Sequence, residues 1–147
     1  MNIKDISKFQ DNGDAQGWFS TLGPPTVEND YYKTVFADST IADRPQKLNL
    51  AMADLRKKFN IEKKPLSVKL RFRTSKEVNL QGISLTGEGA GEEVPVEFDT
   101  NTEDWQDIQW TWTPKIGGIP QLWIYFDATN GVNGKNLEID FIEVLQD

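Results

Sequence analysis

The sequence predicts an all-β fold, a two-sheet antiparallel β-sandwich with jelly-roll topology. Apolar and polar residues alternate along several segments of the second half, which is the pattern of strands with one buried face. Turn sequences such as Asp11-Asn12-Gly13 and Asn130-Gly131 divide the chain into about ten short strands. The 147 residues fit a single domain spanning 1–147 with a core of its own.

The predicted strands differ in the clarity of their alternation. It is clearest in four segments: 66–73, 108–113, 122–127 and 137–145, where Leu137, Ile139 and Phe141 are expected to face the core. Weaker strands are predicted at 3–9, 16–20, 31–37, 47–51, 78–85 and 94–98, with a bulge at Gly82. Met52, Leu55 and Phe59 have helical spacing and predict a short helix at 52–59, with a strand end and a charged loop as the alternative.

The composition excludes several kinds of chemistry. The chain has no cysteine and no histidine, so disulfides, thiolate catalysis and a Ser-His-Asp triad are absent. A net charge of −7 argues against nucleic-acid binding. No apolar run has the length of a membrane span, and the residues 1–10 show no signal peptide.

Strand 121–127 is apolar on both faces, which is the feature that points to a site. Leu122, Ile124 and Phe126 can face the core, so that Trp123 and Tyr125 point outward. Aromatic rings of this kind stack on the C–H faces of sugars, and their N–H and O–H groups can bond sugar hydroxyls. The alternative is that a loop covers both rings, or that both faces of this strand are buried.

Jelly-roll topology predicts further residues of this site. It places strand 66–74 beside strand 121–127, so that Lys69, Arg71 and Arg73 flank the aromatic pair. An ordinary solvated strand face is the alternative for these cations. Four further residues are assigned to the same face: Tyr32, Gln81, Gln121 and Asp127. Trp110 and Trp112 are predicted in the core of the opposite sheet, Trp18 in the core or at its rim, and Trp105 at a strand edge.

Four segments resemble carbohydrate-binding modules of the families 4, 9 and 22 type, which are galactose-binding-like jelly rolls. They are FQDNGDAQGWF, WQDIQWTWTP, QLWIYF and LEIDFIEV. The resemblance implies a polysaccharide or oligosaccharide ligand and a structural Ca²⁺ held by Asp11 and Asp140. It also implies a module of a secreted glycan-degrading enzyme or of a phage tail or baseplate protein. The expected location is extracellular or virion-associated, within a larger multidomain or multiprotein assembly.

Two other functions compete with sugar binding. The segment containing Glu138, Asp140 and Glu143 resembles the active site of family 16 glycoside hydrolases, whose retaining reaction needs two neighbouring carboxyls. If 137–141 alternates regularly, however, Glu138 and Asp140 lie on the sheet opposite the aromatic pair, so the chain is not expected to be an enzyme. A protein-interaction or structural module is the other alternative, since Trp, Tyr and Arg are enriched at interfaces.

Overall fold

The computed structural model describes residues 2–38, 44 and 50–147, and this part of the chain contains strands and no helix. Eleven strands follow one another in the described residues. They are β1 (Ile3–Ser7), β2 (Thr26–Glu28), β3 (Tyr31–Val35), β4 (Ala37–Asp38), β5 (Leu50–Ile61), β6 (Leu66–Thr74), β7 (Leu80–Gly87), β8 (Val94–Pro95), β9 (Gln106–Trp112), β10 (Ile119–Thr129) and β11 (Asn136–Gln146). No helix of the described chain could span a membrane.

The strands form two antiparallel sheets that pack as a sandwich, which confirms the predicted fold class. One sheet has the order β2-β3-β11-β6-β9, with β1 also pairing with β11, and is called the back sheet. The other has the order β4-β5-β10-β7-β8 and is called the front sheet. The first strand pairs with the last in the sheet opposite β10, as jelly-roll topology predicts.

The core fills the space between the two sheets. Leu122, Ile124 and Phe126 of β10 are buried there, as their alternation predicts. The ring of Phe126 meets that of Phe72 from the back sheet edge-on, with centroids 5.2 Å apart. The three tryptophans assigned to the core or its rim are also buried: Trp18, Trp110 and Trp112.

The prediction that β6 lies beside β10 is wrong. The neighbours of β10 are β5 and β7, whereas β6 lies in the back sheet between β9 and β11. The cause is β5: residues 52–59, predicted as a short helix or as a strand end with a loop, belong to one twelve-residue strand. Because β5 takes the place beside β10, the next strand along the chain, β6, belongs to the back sheet.

Two bulges change the face to which side chains point. Between β10 and β7 the register shifts opposite Gln81, next to the predicted bulge at Gly82. On β11 the register shifts at Asp140, so Ile142 is buried and Phe141 turns outward, which corrects the expectation that Phe141 faces the core.

Three of the weaker predicted strands are only partly present. Of segment 94–98, only Val94–Pro95 forms a strand, β8. Segment 16–20 contributes a single bridge, from Phe19 to Arg56. Of segment 47–51, residues 47–49 lie outside the described residues, and the remainder begins β5.

The bulge at Asp140 leads to a test with two identical side-chain changes. Phe126→Ala removes a ring from between the sheets and is expected to lower the free energy of unfolding by about 3–5 kcal/mol. Phe141→Ala removes a half-exposed ring and is expected to cost less than about 2 kcal/mol. Urea denaturation measures both values. A Phe141→Ala cost equal to that of Phe126→Ala would contradict the outward placement of Phe141.

Candidate functional site

The candidate site is the outer surface of the front sheet, called the front face below. Its centre is β10, where Trp123, Tyr125 and Asp127 point away from the core. On one side β5 places Arg56 beside Trp123 and Asp54 beside Tyr125. Since alternate residues of neighbouring strands share a face, the register decides which strand residues flank the aromatic pair.

Trp123 is partly exposed and held in place by two neighbours. The guanidinium carbon of Arg56 lies 4.3 Å from the centroid of the indole ring, a cation–π contact. The indole N–H donates a hydrogen bond of 2.8 Å to Oε1 of Gln121. The ring is therefore fixed on the front face and still offers surface to a ligand.

Arg56 is fixed in turn by Asp54, a fully buried carboxylate. Arg56 Nε donates to Asp54 Oδ2 at 2.8 Å, and Nη2 donates to the phenol oxygen of Tyr125 at 3.2 Å. The backbone N–H and the hydroxyl of Thr21 also donate to Asp54. The buried carboxylate is thus satisfied, as a buried charge has to be.

Tyr125 lies underneath a second arginine. The guanidinium carbon of Arg44 is 3.9 Å from the centroid of the Tyr125 ring, and only 1% of the tyrosine surface is exposed. The rings of Trp123 and Tyr125 are 6.4 Å apart and inclined at 70°. The two aromatic residues share a face, as predicted, but they do not form one exposed flat stripe.

Arg44 is itself buried between two carboxylates. Nη1 and Nη2 donate to Asp127 at 2.8 and 3.1 Å, and Nε and Nη2 donate to Glu93 at 3.0 and 2.7 Å. Burial alone would lower the pKa of Arg44, but the bonds to Asp127 and Glu93 outweigh it and raise the pKa further above its ordinary value. Removing one partner of such a buried pair costs about 3–5 kcal/mol.

The sequence-predicted residues divide between several places. Gln121 and Asp127 lie on the front face with the aromatic pair, although Asp127 is buried beneath Arg44. Gln81 is exposed at the bulge of β7 in the same sheet. Tyr32 is buried in the back sheet, where its hydroxyl bonds Ser20 at 2.7 Å and burial raises the pKa of its phenol. Assigning Tyr32 to the front face was wrong, because its strand belongs to the other sheet and its ring points inward.

Lys69, Arg71 and Arg73 do not flank the aromatic pair, because β6 belongs to the back sheet. They point outward from that sheet and face acidic residues of the neighbouring strands. Arg73 Nε lies 3.2 Å from Glu138 Oε1, and Arg71 Nε lies 3.7 Å from Asp140 Oδ2. The placement matches the alternative given above, a solvated strand face.

The acidic segment of β11 also lies on the outer surface of the back sheet. Glu138 and Glu143 stand opposite Arg73 and Lys69, which share that surface. The bulge at Asp140 brings Glu143 to the same side as Glu138, as the resemblance to family 16 hydrolases requires. All three acidic residues nevertheless lie on the side of the sandwich opposite Trp123, as predicted for Glu138 and Asp140.

The acidic side chains of the described residues do not by themselves fit a calcium ion. A calcium ion takes six to eight oxygen ligands, whereas the described residues contain no group of three or more acidic side chains placed to hold a metal. Asp140 lies beside the guanidinium of Arg71, whose charge opposes a cation. Calcium at Asp11 and Asp140 therefore stays a prediction of the resemblance.

Several residues of the site were not predicted: Arg56, Asp54, Arg44 and Glu93. Met52, Asp54 and Arg56 have strand periodicity, so reading 50–61 as one strand would have placed them beside strand 121–127. Arg44 lies outside the strands and is separated from Asp127 by 83 positions, so no periodic signal could have identified it.

Several solved structures with this fold are carbohydrate-binding modules. One is TmCBM27, described for specific mannan recognition. Its sequence is 9% identical, the match covers 100% of this chain and 99% of that chain, and the TM-score is 0.60. Another is a family 29 module from Piromyces equi: 8% identity, coverage of 97% and 90%, TM-score 0.59. A third contains modules CBM22-1 and GH10 of the Clostridium thermocellum endo-1,4-β-D-xylanase 10B with xylohexaose: 10% identity, coverage of 100% and 29%, TM-score 0.56.

These similarities concern the fold. TM-scores of 0.56–0.60 show that the chain has the β-sandwich of carbohydrate-binding modules, which confirms the predicted resemblance at the level of fold, whereas identities of 8–10% show nothing beyond the fold. Neither a family model nor a curated protein matches the sequence.

The calcium prediction can be tested by thermal unfolding. A bound ion stabilises the folded state by about 2.7 kcal/mol at a concentration one hundred times its Kd. Ca²⁺ should then raise the Tm by roughly 5–10 °C, and both a chelator and Asp140→Asn should remove the increase. Asp104→Asn, at an exposed position, is the matched control. An identical Tm with Ca²⁺ and with chelator would refute a structural calcium ion.

Proposed function

We propose that the chain binds a carbohydrate without cleaving it, and that Trp123 is the stacking platform. The observation that carries this proposal is a partly exposed tryptophan on the outer surface of a strand whose other face is buried in the core. Its fold is that of a module described for specific mannan recognition, and of part of a xylanase whose CBM22-1 and GH10 modules were solved complexed with xylohexaose, which supports a polysaccharide or oligosaccharide ligand.

The environment of Trp123 suits a neutral molecule rich in hydroxyls. A sugar places C–H groups on the indole, while its hydroxyls need directed donors and acceptors at the edge of the ring. Arg56 lies against one face of the indole, 4.3 Å from its centroid, and the two hydrogen bonds it makes to described residues use two of its five N–H donors. The remaining donors and the amide of Gln121 are available to a ligand that stacks on Trp123.

The charges of the front face favour a neutral glycan over an acidic one. Two arginines, Arg44 and Arg56, lie among three carboxylates, Asp54, Asp127 and Glu93. The exposed Lys58 points to the same face, so these six side chains carry a net charge of about 0 and offer an acidic glycan no local attraction. The chain as a whole carries −7. A polysaccharide with many carboxylate or sulfate groups would be repelled.

The setting we propose follows from the resemblance of the sequence. A non-catalytic module of this kind serves a larger assembly by holding it on a glycan, either beside a secreted glycan-degrading enzyme or in a phage tail or baseplate. The chain would then work outside the cell or on a virion.

Replacing Trp123 tests the platform. Trp123→Ala should weaken binding about 5- to 150-fold, the equivalent of the 1–3 kcal/mol that stacking of a nucleic-acid base on an aromatic ring contributes. Affinity electrophoresis in gels containing xylan, mannan, galactan or mixed-linkage β-glucan measures the loss. Unfolding in urea checks that the fold is kept.

Trp105→Ala is the matched control, because Trp105 is also half-buried but contacts Tyr31 and Arg73 of the back sheet. It should leave retardation in the gel unchanged. If Trp123→Ala migrates as the unchanged chain does, or if only Trp105→Ala loses binding, the ligand does not lie on the front face. A partner pull-down would then examine the protein-interaction alternative.

The absence of hydrolysis is tested on the same polysaccharides. We expect no release of reducing sugar above the buffer level, because Glu138, Asp140 and Glu143 lie on the opposite sheet from Trp123. Glu138→Gln identifies the source of any activity that is found. Reducing sugar released by the unchanged chain and lost in Glu138→Gln would establish a hydrolase.

A further inference from the structure

Arg44 and Arg56 contact the same pair of aromatic rings but differ in what they can offer a ligand. Arg56 has N–H donors that no described residue uses, as stated above. Arg44 makes five hydrogen bonds: two to Asp127, two to Glu93 and one from Nη1 to the sulfur of Met52 at 3.1 Å. Since a guanidinium has five N–H groups, every donor of Arg44 is already committed within the protein.

The position of Arg44 also decides which ring a sugar can reach. Its planar guanidinium lies 3.9 Å from the centre of the Tyr125 ring, which is where the face of a stacked sugar would lie. Both partners are buried, with exposed fractions of 2% for Arg44 and 1% for Tyr125. A sugar can therefore reach the partly exposed ring of Trp123, whereas the next ring along β10 is closed, with Arg44 packed against its face.

Whether a longer glycan can displace Arg44 depends on two energies: the cost of breaking its ion pairs and the gain from stacking one more sugar. Displacing Arg44 would break a buried ion pair, and the cost given above for such a pair exceeds the gain from stacking one more sugar. The pair is reinforced because Glu93 also accepts a hydrogen bond from Ser84 Oγ at 3.1 Å. Binding energy from a longer glycan is thus insufficient to open the Tyr125 end of the face.

We propose that Arg44 sets the length of the glycan-binding surface: clamped by Asp127 and Glu93 on Tyr125, it confines the ligand to the Trp123–Arg56 end of the front face. This inference rests on the proposed carbohydrate binding and makes it specific. The chain recognises a short stretch of a glycan, and its affinity does not grow with chain length as it would on an open aromatic face.

The experiment is a length series measured by calorimetry. Xylo-, manno- and β-1,4-galacto-oligosaccharides, from the disaccharide to the hexasaccharide, are titrated into the unchanged chain and into Arg44→Ala. The affinity of the unchanged chain should level off early, with the hexasaccharide within about twofold of the trisaccharide. In Arg44→Ala, the hexasaccharide should bind about tenfold more tightly than the trisaccharide, since a second ring becomes available.

Two further variants test whether the gain in hexasaccharide affinity of Arg44→Ala depends on Tyr125 and on the bonds of Arg44 to Asp127 and Glu93. Adding Tyr125→Ala to Arg44→Ala should return the series to an early plateau, which a general loosening of the fold would not do. Arg44→Lys keeps one charge near Asp127 but loses the planar stack and the paired bonds to Glu93. It should give an intermediate gain, and it provides the test if Arg44→Ala does not fold.

Three outcomes would overturn the inference while leaving the proposed carbohydrate binding in place. One is an affinity of the unchanged chain that rises steadily up to the hexasaccharide. Another is a folded Arg44→Ala or Arg44→Lys whose series matches that of the unchanged chain. The third is weaker binding of every sugar by Arg44→Ala, which would make Arg44 part of the recognition surface. If no oligosaccharide or polysaccharide binds the unchanged chain, the proposed function fails, and the inference fails with it.

Discussion

The pairing of β5 with β10 is the constraint on which the front face depends. The two strands pair antiparallel from Ile119 to Thr129, with one irregularity near Ile119, so their registers are fixed along nearly their whole length. That register places Arg56 against Trp123 and Asp54 against Tyr125. A slip by one residue would turn these charges into the core and bring Leu55 to the surface. The hydrophobic core thus enforces the arrangement of the polar site.

The buried charges of the front face determine geometry more than they add stability. Taking Asp54, Asp127 and Arg44 out of water costs several kcal/mol per ion, and the attraction of each to its own partner returns a similar amount. Exchange of such a group for apolar side chains of the same volume is often neutral or stabilising. The buried charges instead hold the guanidinium planes of Arg44 and Arg56 on the rings of Tyr125 and Trp123. The face is rigid before any ligand arrives, which lowers the entropy cost of binding.

The sequence determined the core and the position of Trp123 well, because both depend on local alternation. The helical spacing of Met52, Leu55 and Phe59 concealed β5. Its Ala, Asp and Lys residues are poor strand formers, and only its pairing with β10 and β4 makes it a strand. That omission placed Lys69, Arg71 and Arg73 beside the wrong partners. The outward turn of Phe141 follows from a bulge, which alternation cannot reveal in advance.

The distribution of carboxylates favours binding over hydrolysis. On the front face, Asp54 and Asp127 are buried, and both oxygens of Glu93 accept bonds from Arg44, so these acids are committed to arginines. Cleavage of a glycosidic bond needs two carboxyls on either side of that bond. The more exposed acids of β11 lie beyond two sheets that pack about 10 Å apart, out of reach of a sugar on Trp123. The proposed sugar platform and the acidic segment of β11 therefore lie on opposite sides of the sandwich.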